Sequence, residues 1–495
     1  MSELVPIPAP TPPKRKPRRF WRWAKRVVLA VVLLLAGALL IGFGEMKWTR
    51  HSGQKKLEAM TAKLDADDPS WRFEDILAAH NAKVSPDESN SAMRIVGIVK
   101  GFLKFEPHHT VWQRTSELDD GRLPNELPDL EKWKELDIDY PAHEPGLVEL
   151  RKWNAATPQG RFKIEYSGEY PFNIRFGNCQ EVRNALTYLA WDSLRFAYAG
   201  QGDRALASAM AGLHLVRSVD SEPFTFPYLN RIGAVNQAIK AVENALAWCP
   251  ITSDQQLAAM QELVRQESVG FSIRSFLRGE RAYILKGFEL ADSGELDLEQ
   301  FLDLRNSSTS ERLGFRYLRQ FLPANSANVI ERFDELLLKL DLPPGEKMQA
   351  FKVGERLGID REKMFARMVF TPIVILAKSE IQHQARCLCA AAGIACERYR
   401  LKHNKWPSQL GDLAEWVDPK ELVDPFDGKP LRLKTLDDGV VVYSVGKDGV
   451  DHEGDVISRF KDFDDTKDVG FRLWSVDRRR VPPMAEPARD DFPIP

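Results

Sequence analysis

Residues 182–219 read VRNALTYLAWDSLRFAYAGQGDRALASAMAGLHLVRSV. Apolar residues recur at three- and four-residue spacing from Val182 to Ala199, Gln201-Gly202-Asp203 interrupts them, and the same period resumes from Arg204 to Val219. Residues three and four apart share a face of a helix, whereas a half-buried strand alternates every second residue. The stretch therefore predicts two amphipathic helices joined by a tight turn, and a chain that is mainly α.

The same period continues outward. Leu229–Trp248, Ser253–Gln266, Ser272–Asp292, Ser326–Leu340 and Glu346–Leu357 carry it, as does the stretch that Pro86-Asp87-Glu88 opens toward Phe102. Residues 54–378 are thus expected to form an α-helical body whose mixed-sign charges mark solvated outer faces. Two interruptions stand out. Residues 106–143 are Pro-rich and poorly periodic, which predicts a long loop, and the alternation in Phe162–Ile174 predicts a short hairpin. Phe370–Leu376 is apolar but too short to span a bilayer, so it is expected in the core. Trp191, Leu194, Tyr198 and Ala207 sit at spacings that resemble a tetratricopeptide repeat. No second copy follows at the 34-residue period, so helix packing is favoured over a recognition array.

At 495 residues, 43% hydrophobic and 28% charged, the chain has a globular composition and room for two or three folding units. A net charge of -2 argues against bulk nucleic-acid binding. The charge is unevenly placed: Lys14, Arg15, Lys16, Arg18, Arg19, Arg22, Lys25 and Arg26 crowd the N-terminus. Residues 1–26, with their prolines, read as a disordered basic cytoplasmic tail. Val27–Phe43 follows without a charge, and with Gly44 it makes a transmembrane segment over residues 27–44, flanked by Trp21, Trp23 and Trp48. Basic residues before the span place the N-terminus in the cytoplasm and the body outside it. A cleaved signal peptide is the rival reading. The nearby Ala36-to-Ala38 triplet lies inside the apolar run instead of after it, which favours an uncleaved anchor.

Catalytic patterns are scarce. There is no GxSxG elbow, phosphate-binding glycine loop or HExxH. Glu106 with His109, and Glu380 with His383, form two ExxH pairs of the kind found in di-iron carboxylate sites, but two fixed residues arise readily by chance. The five cysteines, Cys179, Cys249, Cys387, Cys389 and Cys396, show no zinc or haem spacing and read as small buried hydrophobes, with one disulfide left open.

Residues 379–476 differ from the body. A helix rich in small residues runs from Ser379 to His403, and Trp406-Pro407 stops it. The turn Asp424-Pro425-Phe426-Asp427-Gly428 feeds a strand near Leu431–Leu433, Asp438-Gly439 turns, and Val440–Val445 returns. Next, Asp448, Asp451, Glu453 and Asp455 place four carboxylates within eight residues, interleaved with glycines. Oxygen donors on a flexible loop suit calcium, and a solvated acidic loop is the equal alternative.

The order Tyr399, Trp406-Pro407, Asp424-to-Gly428, Pro430 and Tyr443-Ser444-Val445-Gly446-Lys447-Asp448-Gly449 resembles the globular domain of the major pseudopilin of type II secretion systems, over about residues 385–475. The resemblance implies a small α+β unit with an antiparallel sheet. It also implies calcium ligands at Asp448 and at Asp451 or Asp455, with Asp468 as a later acidic position. A pseudopilin's hydrophobic helix leads directly into this domain, whereas here more than 300 residues intervene. The whole chain looks like bacterial membrane-anchored proteins that join a helical body to such a domain. Beyond Trp474, residues 477–495 with Arg478-Arg479-Arg480 read as a disordered tail.

These readings converge on an inner-membrane, single-pass scaffold or interaction protein with an unidentified protein partner, no catalytic activity and a calcium-stiffened terminal unit. An accessory of a type II secretion or pilus-like system is one alternative. An enzyme whose site is assembled from scattered body residues is the other.

Overall fold

A computed structural model describes residues 18–102, 122–138, 140–165, 177–219, 223–269, 273–297, 317–352, 362–456 and 467–483. The helices are α1 (Arg18–Asp67), α2 (Phe73–Asn81), α3 (Ser91–Phe102), α4 (Leu130–Asp137), α5 (Tyr140–Leu150), α6 (Gly177–Tyr198) and α7 (Gly202–Ser218). They continue as α8 (Thr225–Trp248), α9 (Asp254–Val269), α10 (Ile273–Ser293), α11 (Leu322–Leu340), α12 (Glu346–Lys352) and α13 (Met364–His403). A sheet of β1 (Arg432–Leu436), β2 (Gly439–Ser444) and β3 (Val469–Trp474) closes the fold. The chain is mainly helical with one small antiparallel sheet, as its periodicity predicts.

The hairpin read from residues 182–219 is α6 and α7. Its turn needs glycine twice. Gly200 takes φ +78°, the left-handed conformation that ends α6 while Gln201 N–H bonds back to the Phe196 carbonyl at 2.8 Å. At Gly202 a Cβ would sit 2.6 Å from the Pro250 carbonyl, so only glycine lets α7 start against the end of α8.

Within α1, most of the described side chains of Val27–Phe43 are exposed and none is buried, and the helix is long and apolar enough to cross a membrane. It does not stop at the apolar segment. The same helix continues to Asp67 and lies on α11, where a Cβ at Gly53 would come 2.9 Å from the Ala324 backbone nitrogen. Leu57, Met60 and Leu64 follow at helical spacing and pack into the core formed by Phe276, Phe288, Val329, Phe333 and Phe370. Arg50–Asp292 (2.8 Å), Lys56–Glu331 (3.0 Å) and Lys63–Asp334 (2.9 Å) flank this seam.

Several expectations need correction. The segment 106–143 is not one long loop: α4 lies within it, α5 begins within it, and 103–121 falls outside the described residues. Asp129 caps α4 by accepting from Glu131 N–H at 2.9 Å and Lys132 N–H at 3.2 Å. Tyr140-Pro141 opens α5, where proline costs no helical hydrogen bond. Of the expected hairpin over 162–174, residues 162–165 form no strand and the remainder lies outside the described residues. The boundary at 378/379 is not a seam, because α13 runs through it unbroken. One core joins Trp191, Leu213, Trp248 and Val264 of the body to Ala391, Val440, Phe471 and Trp474.

The small residues of α13 explain that shared core. Ala390, Ala391, Ala392 and Ala395 are buried, and a Cβ at Gly393 would lie 2.4 Å from the Phe471 ring. The sheet and α9 therefore sit directly on the α13 backbone. In the sheet β2 is central, pairing Tyr443 with Arg432 and Val442 with Phe471. All five cysteines are buried free thiols.

The C-terminal segment is also not a tail throughout. Arg479 is buried against Glu397 of α13, donating from Nη2 to its two oxygens at 3.1 and 2.9 Å. It also donates to the carbonyls of Cys249 (3.1 Å) and Trp474 (3.0 Å), fixing residues 476–481 to the body. A side chain so desolvated holds its charge because a carboxylate and two carbonyls meet it.

Candidate functional site

The acidic loop sits at the end of β2. Asp448 Oδ1 accepts from Val450 N–H at 3.0 Å and its Oδ2 meets His452 Nε2 at 2.9 Å. That hydrogen bond raises His452 above the ordinary imidazole value. Asp451 accepts from Glu453 N–H at 2.8 Å, and Asp455 pairs with Lys467 at 3.1 Å. Among the described residues no three His, Cys, Asp or Glu side chains gather as a metal site, so Asp448, Asp451 and Asp455 each answer to a different partner. Residues 457–466 follow and lie outside the described residues.

Two other aspartates hold this region together. Asp468 is buried and accepts from His452 N–H (3.2 Å) and Gly454 N–H (2.8 Å), which pins the acidic loop to β3. Asp424 is fully buried and accepts from Phe426 N–H (2.9 Å), Ser444 Oγ (2.8 Å) and Val445 N–H (3.0 Å), and from Arg432 at 2.6 Å. Arg432 reaches Asp427 as well. The motif residues Asp424, Asp427 and Ser444 are thus joined through one hydrogen-bonded hub.

Of the two ExxH pairs, Glu106 and His109 fall outside the described residues. Glu380 and His383 are buried on α13, one turn apart. Burial pushes the Glu380 carboxyl up in pKa, and the Tyr228 hydroxyl donates to it. Burial lowers His383 to about 4, helped by the charges of Arg231 and Arg386. Its ring is 3.7 Å from Cys387 Sγ. The pair is a neutral imidazole and a protonation-prone carboxyl in a packed core, and no second pair faces it among the described residues.

A second buried hub lies in the body. Asp192 on α6 accepts from Tyr140 Oη at 3.0 Å and from Arg151 at 2.6 and 2.8 Å, and Arg151 also pairs with Glu144 at 3.0 Å. These bonds lock α5 onto α6. With every partner satisfied, the hub is structural.

A cavity of about 700 Å³ lies between α6 and α8. Arg183, Thr187, Trp191 and Leu194 line it from α6 at three- and four-residue spacing. From α8 come Asn230, Gly233, Gln237, Lys240 and Asn244, again on one helical face, and Arg386 enters from α13. No acidic side chain is among its described lining. Four buried polar atoms of these residues, none of them exposed to the cavity, have no hydrogen-bond partner among the described residues: Trp191 Nε1, Asn230 Nδ2, Asn236 Oδ1 and Arg386 Nε. A volume near this size accommodates a small molecule. The reading from sequence missed this site, although the amides at 230, 237 and 244 recur every seven residues on a helix it had already placed.

No protein-family model, curated protein or solved structure matches the chain.

Proposed function

We propose that this chain is a membrane-anchored interaction protein, a stiff helical body held outside the cytoplasm by α1, that works by binding and not by catalysis. The observation that carries the reading is the unbroken course of α1 from its exposed apolar segment into the core against α11. A flexible linker would suit a tethered enzyme free to search for substrate, whereas a continuous helix fixes the body's distance and attitude to the bilayer. The basic cluster before residue 27 supports the orientation. The test is retention in bacterial membranes after alkaline carbonate washing, with protease added from the periplasmic side of spheroplasts. Retention with digestion of the body is the expected result. Release by carbonate, or a body protected until the cells are broken, overturns it.

The pseudopilin-like character of the C-terminal unit belongs to the same reading, supported by a long helix followed by an antiparallel sheet and by the motif hub around Asp424. Calcium in the acidic loop is its cofactor element. Its support is compositional: the carboxylates of 448–455 and the further aspartates Asp462, Asp464 and Asp465. Thermal unfolding of the full chain with calcium and with chelator tests it. Calcium at about 100 times its dissociation constant, bound only to the folded state, adds roughly 2.7 kcal/mol. An unchanged midpoint leaves the loop held by its own N–H donors.

A further inference from the structure

All six residues of β2 are buried, although the sheet has only three strands. Side chains along a strand alternate between the two faces, so burial at every position requires a cover on each side. One cover is α13: Val440 and Val442 share a core with its alanines, together with Phe471 and Leu473. Val441 and Tyr443 belong to the opposite face. There the register places Lys434 and Arg472 beside Val441, and Arg432 and Gly470 beside Tyr443.

The segment 450–456 lies on that second face. A Cβ at Gly454 would come 2.9 Å from Val441 Cγ1 and 3.2 Å from the Tyr443 ring, and a Cβ at Gly470 would come 2.5 Å from Val456 Cγ1. The other side of the segment meets water, since Asp451, His452, Glu453 and Asp455 are exposed. We propose that residues 450–456 are a releasable strap, which lifts from the outer face of the sheet as a unit while the sheet stays folded on α13.

The holding contacts are few and polar. Asp468 accepts from His452 N–H at 3.2 Å and Gly454 N–H at 2.8 Å. Lys434 donates to the Glu453 carbonyl at 3.0 Å and to its carboxylate at 2.9 Å, and Arg432 stands 3.7 Å from Asp451. The Glu453 side chain is 83% exposed, so salt screens its pair with Lys434. None of residues 450–456 enters a hydrophobic core or forms a bridge to a strand. The inner face, by contrast, is built into the core that joins α13 to the body. Local opening follows the weakest contacts, which puts the strap below the sheet in stability. Backbone strain acts in the same direction. Glu453 takes φ +59°, a left-handed conformation unfavourable to a residue with a Cβ, and lifting the turn relieves it. Lifting bares the apolar pair Val441 and Tyr443 within a rim of Arg432, Lys434 and Arg472.

The test is thiol accessibility in the full chain in a maltoside detergent, with a chelator present so that the outcome is independent of calcium. Val441→Cys and Val440→Cys, neighbours on opposite faces, are each reacted with N-ethylmaleimide and mapped by peptide mass spectrometry. The five native thiols are buried and supply the baseline. Adding Asp468→Asn, which removes one of two acceptors, is expected to speed labelling of Val441→Cys about tenfold or more, the weight of one charge-assisted hydrogen bond. Val440→Cys stays at its parent rate. Raising salt from about 0.05 M to about 0.5 M speeds Val441→Cys about threefold, and Lys434→Met, at the exposed rim, removes most of that response. Protection of Val441→Cys that survives Asp468→Asn overturns the proposal, as does a rate indifferent to salt. So does a parallel rise of Val440→Cys, because the sheet and not the strap would then be opening.

Discussion

Replacing Arg479 with methionine is expected to destabilise the folded chain by about 3 kcal/mol, although sequence reading places this residue in a tail. Arg479 donates twice to Glu397, once to the Cys249 carbonyl and once to the Trp474 carbonyl. Breaking a buried ion pair from one side costs about 3–5 kcal/mol because a charge is left without its partner. Here Glu397 keeps Arg400, bonded at 2.7 and 2.8 Å, so the loss falls at the low end of that range. Methionine preserves most of the side-chain volume and limits any cavity contribution. Urea unfolding followed by tryptophan fluorescence reads the change. A loss under about 1 kcal/mol, the size of a typical single neutral hydrogen bond, would mean that residues 476–481 are not docked on α13. The double variant Glu397→Gln/Arg479→Met should recover part of the loss, since both charges are then removed.

The same pair sets a pH dependence. Burial pushes the Glu397 carboxyl up, and the hydrogen bond and charge of Arg400, with the charge of Arg479, outweigh it, so its folded value lies below 4.5. A carboxyl with a depressed folded value contributes stability that is complete above its unfolded value and lost as pH falls through the folded one. Without Arg479 the folded value rises, and the acid-side loss shrinks and ends at a higher pH.

Three further outcomes are expected. Gly53→Leu overpacks the crossing of α1 and α11 and costs about 1–3 kcal/mol in the urea assay, with the membrane segment unaffected. Asp468→Ala strands the buried N–H of Gly454 and the part-buried N–H of His452 and costs about 2 kcal/mol, whereas Asp448→Ala in calcium-free buffer stays within about 0.5 kcal/mol; the reverse order would refute the hydrogen-bond account of this loop. His383, held neutral to about pH 4 by burial and by Arg231 and Arg386, protonates first in the unfolded chain, so it removes up to about 3 kcal/mol of stability as pH falls from about 6.5 to 4. His383→Leu should flatten that part of the pH profile, read as the difference from wild type with Glu380 and Cys387 unchanged.

Helical periodicity carried most of the fold because it is a local signal. The hairpin α6–α7, and α8 through α11, could be drawn from spacing alone. What failed was non-local. Strand β3 is six residues long and includes Gly470, and it becomes a strand by pairing with β2 and resting on Gly393. Helices α4 and α5 were hidden by the prolines in and around them: Pro141 stands in the first turn of α5, but Pro145 lies inside that helix. Arg479 finds Glu397 across 82 residues, a pairing that composition cannot reveal. The Ser379 start assigned to the terminal helix followed its small residues, yet Phe365, Phe370 and Ile373 extend the same helix into the second core. The cavity was partly legible: a glycine and amides at helical spacing on α8 are poor choices for a packed face. Their meaning depends on Arg386, more than 140 residues away in sequence, arriving at the same place.

The mechanical character of the proposed anchor follows from where its energy lies. The ion pairs Arg50–Asp292, Lys56–Glu331 and Lys63–Asp334 are largely exposed, and exposed pairs contribute about 0–1 kcal/mol each. The buried strip is stronger. Gly53 allows α1 and α11 to touch backbone to side chain, and Leu57, Met60 and Leu64 then insert into the aromatic core at successive turns. Salt should therefore not detach α1 from the body, while bulk at Gly53 should. From Gly44 to Gly53 the helix rises about 14 Å, so the proposed anchor would put the first packed contact close above the bilayer surface. Because α13 contributes to both cores, a force on α1 reaches the sheet through packed side chains with no described hinge between them. On the proposed membrane-anchored reading, the body would act as a strut whose faces keep a fixed attitude to the bilayer, the property that an interaction surface there requires.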